Sequence, residues 1–60
     1  MKTTKELIDC AKRELGLRKR VYNNRVARGL MQPENAAHET ECMEEILKVL
    51  EARGQQELAL

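Results

Sequence analysis

His38 and Cys42 lie four residues apart, one helical turn, a spacing at which an imidazole and a thiol can reach the same metal ion. Two ligands do not make a structural zinc site, which takes four, so the pair reads as a solvated histidine beside a thiol. No metal and no other cofactor is expected. The second cysteine, Cys10, belongs to no metal or redox spacing. Both cysteines are expected to be buried or half-buried free thiols in a reducing compartment.

The stretch RKRVYNNRVARG, residues 18–29, offers a different chemistry. Arg18, Lys19, Arg20, Arg25 and Arg28 could neutralise phosphates, and Tyr22, the chain's one aromatic residue, could stack or hydrogen-bond. At 100° per residue, however, the five cations spread around most of a helix instead of lining one side. Tyr22, Arg25 and Arg28 are better read as anchors for a protein partner, since Tyr and Arg recur at binding hot spots. Catalysis finds no support: the chain has no nucleophile with base and orienting group, no glycine-rich phosphate loop and no cleft-held carboxylate pair. The expectation is a protein that is not an enzyme.

These residues must be positioned by helices. Leu, Ile, Val, Met and Ala supply the apolar content, and there is no Phe or Trp. Thr3 and Glu6 have the spacing of a capping box and open a first helix, about residues 4–28. Its apolar stripe is Leu7, Ile8, Ala11, Leu15, Tyr22 and Val26, flanked by Leu17 and Val21 and interrupted by Arg18. Gly16 is a weak point, but the pattern favours a continuous helix. Gly29 ends it, residues 29–32 form the turn, and Pro33 suits the first position of a second helix, about 33–53. There the stripe is Ala36, Met43, Ile46, Leu47 and Leu50, with Cys42 and Val49 beside it. Gly54 reads as the terminator, leaving residues 54–60 as a flexible tail whose Leu58 and Leu60 could dock on a neighbour.

Charge supports folding back. Residues 1–29 hold nine Lys or Arg against three acids, a balance of +6, and residues 30–60 hold two against seven, a balance of −5. A short link makes the helices antiparallel neighbours, bringing Arg28 near Glu34, Arg18 to Arg20 near Glu41 to Glu45, and Lys12 or Arg13 near Glu51. Cys10 then falls about ten residues out of step with Cys42, ~15 Å along the axis and beyond disulfide reach.

The order Leu15, Arg18, Val21, Tyr22, Val26, Gly29, Met31, continued by Ala37, Glu41, Met43 and Ile46, resembles short helical proteins of tailed bacteriophages and prophages whose function is unassigned. The resemblance covers roughly residues 14–50; the family pattern often carries Pro-Arg-Trp where this chain has Asn23, Asn24 and Arg25. It implies a phage-derived accessory protein acting in the bacterial cytoplasm.

The expected architecture is all-α, an antiparallel two-helix hairpin that dimerises into a four-helix bundle, because a chain this short buries little surface alone. Leu17, Val21, Val49 and the turn residues Leu30 and Met31 are the expected second seam. No apolar run approaches membrane-spanning length, and no signal peptide is expected at Met1 to Thr4. The expected function is an adaptor or inhibitor that binds a host or phage protein. The alternatives are a nucleic-acid-associated regulator and a purely structural homo-oligomer.

Overall fold

The computed structural model describes residues 1–59, which form two helices, α1 (Thr4–Ala27) and α2 (Pro33–Ala59), packed against each other as a hairpin. The start of α1 is set locally. The Thr3 hydroxyl accepts from the Glu6 backbone N–H at 3.1 Å, and the Glu6 carboxylate accepts from the Thr3 backbone N–H at 3.2 Å, so both orphan donors are satisfied. Its end is equally local. Gly29 adopts φ 73°, the Leu30 N–H reaches back to the Arg25 carbonyl at 2.8 Å, and the Gly29 N–H reaches the Val26 carbonyl at 3.1 Å. After this turn Pro33 is the first residue of α2, and the Gln32 carbonyl accepts from Asn35 and Ala36.

Gly16 leaves α1 unbroken, whereas Gly54 does not end α2. The helix expected to stop at residue 53 runs on to Ala59, and the expected flexible tail is helical as far as it is described; Leu60 lies outside the described residues. The cause is tertiary. A Cβ on Gly54 would stand 3.5 Å from Ile8 Cδ1 and 3.7 Å from Thr4 Cγ2, so the glycine sits where the helices touch. One turn later Thr4 Oγ1 donates to the Glu57 carboxylate at 2.7 Å, and Arg53 approaches that carboxylate at 3.5 Å. Together these contacts outweigh the ~1 kcal/mol that an interior glycine costs relative to alanine.

The seam follows a strict three-and-four spacing. On α1 it is Thr4, Ile8, Ala11, Leu15, Arg18 and Tyr22, then Val26; on α2 it is Ala36, Thr40, Met43, Leu47, Leu50 and Gly54, and all of these are buried or half-buried. The only apolar side chains classed as buried among the described residues are Ala11 and Ala36, each 9 % exposed, and no large side chain is fully enclosed. The hairpin is accordingly a rod of 48 × 17 × 14 Å with a radius of gyration of 14.1 Å, against ~10 Å for a compact chain of this length. Its accessible surface of 5000 Å² exceeds by roughly 1000 Å² the area of a compact monomer of this mass.

Among the described residues no helix is long and apolar enough to cross a membrane.

Candidate functional site

Register decides what each side of the rod presents. Thr4 meets Glu57, Ile8 meets Gly54 and Lys19 meets Glu44, so opposed residue numbers sum to about 62 along the whole hairpin. Residues one place after the seam positions then fall on one side, and residues one place before fall on the other, for both helices at once, because the antiparallel partner reverses the sense of rotation.

The first side is charged. Lys5, Asp9, Lys12 and Lys19 of α1 run opposite Glu41, Glu44, Lys48, Glu51 and Gln55 of α2. Lys19 Nζ reaches the Glu44 carboxylate at 3.8 Å, while Lys12 and Glu51 share a groove with Ile8 and Gly54. The expected zipper of cross-helix ion pairs is therefore sparser than the charge split implied: Lys19–Glu44 is the one that forms among the described residues. Lys5–Asp9, Arg18–Glu14 and Arg53–Glu57 are instead pairs within a helix, four residues apart. The reason is reach. Arg28 and Glu34 are exposed at the two ends of the turn and form no ion pair among the described residues, and Arg18 lies on the seam, where it pairs with its own Glu14. Glu14, at 3.1 Å, and secondarily Tyr22 raise the already high pKa of the Arg18 guanidinium, so the seam carries a permanent cation at mid-length.

The second side is apolar. Leu7, Cys10, Glu14, Leu17 and Val21 of α1 recur at three- and four-residue steps, as do Cys42, Ile46, Val49 and Arg53 of α2. By register Leu17 lies across from Ile46 and Val21 from Cys42. Leu7, Leu17, Val21, Ile46 and Val49 are all open to solvent, from 37 % at Leu7 to 68 % at Val49. Leu17, Val21 and Val49 were expected on a second seam. Leu7 and Ile46 were expected inside, and each is displaced outward by one position because Ile8 and Leu47 take the inner place. Leu30 is exposed at the turn and Met31 half-buried.

The cysteines also lie on this second side, and both are exposed free thiols, not the buried or half-buried ones expected. Their register places each beside exposed apolar neighbours instead of between the helices. Cys42 Sγ stands 3.6 Å from His38 Nε2, and among the described residues no group of three or more His, Cys, Asp or Glu converges.

The expected anchors do not form one patch. Tyr22 is half-buried and lines an open groove near the turn with Val26, Ala36, Ala37 and Thr40, rimmed by Glu41 and Glu44. Arg25 and Arg28 are exposed but do not line that groove. Arg28 instead continues the Leu17, Val21, Asn24 line of the apolar side toward the turn, and Arg25 flanks it. The wider basic set is equally divided: Arg18 is on the seam, Lys19 on the charged side, and Arg20 points outward, away from α2. Sequence reasoning missed Thr4, Thr40 and Gly54 as seam residues. Their signal was position in the heptad, not hydrophobicity.

Comparison with family models, with curated proteins and with solved structures finds no match to this chain.

Proposed function

We propose that this protein is a non-catalytic protein–protein interaction module, a phage or prophage accessory protein of the bacterial cytoplasm that pairs into a four-helix bundle and acts as an adaptor or inhibitor. One observation carries the reading: five large apolar side chains stand open along one side of a hairpin in which, among the described residues, the only buried apolar side chains are two alanines and the larger seam residues are half-buried. Exposed apolar surface of this extent marks a contact surface. Arg25 and Arg28 at its turn end supply a polar rim of the kind that surrounds such contacts. The resemblance to short phage-encoded helical proteins over residues 14–50 supports the biological setting.

A dispersed set of cations in which Arg18 and Lys19 are already paired, the first of them on the seam, is a poor phosphate track, so nucleic acid is the alternative to be tested. Titration of random-sequence duplex DNA at low salt separates the two. Absence of binding supports the interaction module; binding whose affinity falls steeply as salt rises replaces it with the nucleic-acid reading.

A further inference from the structure

We infer that the apolar side is covered by a second copy of the same chain, laid so that α1 of one protomer runs antiparallel over α2 of the other, with the twofold axis along the hairpin's length. This rests on the interaction reading above and assigns its surface, its occupant and its orientation.

Area fits a second copy as the occupant. The roughly 1000 Å² of surface in excess of a compact monomer is close to the ~800 Å² per partner that a stable interface buries. The three- and four-residue steps of Leu7, Cys10, Glu14, Leu17 and Val21 and of Cys42, Ile46, Val49 and Arg53 are those of a helix that interlocks with another helix.

Charge selects the orientation. Two face-to-face arrangements have twofold symmetry: α1 over the partner's α2, or each helix over its own copy. On the outer flank of the apolar line α1 carries Glu6, Arg13 and Arg20, and α2 carries His38 and Glu45; Glu6 is held in the α1 cap, which leaves Arg13, Arg20 and Glu45 as the charges free to select a partner. All three are exposed, and none takes part in an ion pair among the described residues. With α1 over the partner's α2, Arg20 comes within about one helical turn of Glu45 along the axis, and its long side chain spans the remainder. The other arrangement sets Arg13 and Arg20 against their own copies and Glu45 against Glu45, which repels. Across the whole molecule, the basic residues 1–29 then cover the acidic residues 30–60.

Sedimentation equilibrium of the full chain tests this, with far-UV circular dichroism reporting the hairpin. The wild-type chain is expected to be a dimer of 6.9 kDa protomers, and the Leu17→Glu, Val49→Glu double variant a helical monomer. Arg20→Glu and Glu45→Arg, each exposed and away from the seam, are each expected to weaken the dimer about tenfold, because symmetry repeats the pair twice; together they restore it. Restoration in the double charge variant supports the orientation even if the apolar variant fails to fold. Arg20→Glu alone tightening the dimer overturns the orientation, because that sign belongs to the self-over-self arrangement. A wild-type chain that stays monomeric overturns the inference, and the interaction reading is then decided by its own DNA titration. A dimer that survives in a folded Leu17→Glu, Val49→Glu variant overturns the assignment of the surface.

Discussion

The two sides of the rod lie one position to either side of the seam in each helix, yet one closes on itself and the other does not. On the charged side, Lys19 finds Glu44 within the same chain, and Lys12 shares a groove with Glu51. On the apolar side, Leu17 faces Ile46 across a surface both leave to water. The lesson is that attraction between opposite charges needs only proximity, whereas burial needs enclosure. Two cylinders lying side by side enclose one line of side chains, not two.

The sharpest way to break the comparison is to remove what both sides lean on. Leu47→Ala thins the shared seam and is expected to cost about 2 kcal/mol, at the low end for such truncations because Leu47 is only half-buried; urea denaturation checks it. Next comes the turn that holds both sides in register. Gly29→Ala forces a Cβ into φ 73° and is expected to cost roughly 1–2 kcal/mol in the same assay, although the added methyl meets nothing within 4 Å. A gain is expected on the charged side at Gly16, where a Cβ also has open space. Gly16→Ala there should raise stability by up to ~1 kcal/mol and shift the urea midpoint upward. The smallest effect belongs to the charged side's own ion pair. With both partners close to half exposed, Lys19→Ala is expected to change stability by less than about 1 kcal/mol, and less still at high salt. A large loss at Lys19 would mean that electrostatics, not the aliphatic seam, sets the hairpin's orientation.

Much of this architecture was legible in the residue order, and the legible part is local. The Thr3 and Glu6 cap, the Gly29 reversal and the Pro33 start each depend on neighbours within six residues, and each stands where the spacing put it. Gly54 was misread because its role is decided by Ile8 and Thr4, about fifty positions away, and no local signal distinguishes a glycine that ends a helix from one that lets two helices touch. The inner and outer apolar lines were partly confused for a related reason. Leu7 and Ile8, like Ile46 and Leu47, are adjacent and equally apolar, so hydrophobicity does not say which turns inward. The phase is carried by Thr4, Thr40 and Gly54, which are not hydrophobic and so dropped out of a search for apolar stripes. Of the candidate site, the open positions Leu17, Val21 and Val49 could be read ahead of the structure, but the separation of Tyr22 from Arg25 and Arg28 needed the groove beside the turn.

Cys10 and Cys42 stand in line with the open leucines and valines, which equips the molecule with its own gauge of occupancy. A maleimide reagent reaches both sulfurs while that side is bare and is shut out once something lies across it. The rate of alkylation, followed as the protein is diluted, would therefore register coverage directly with no residue replaced.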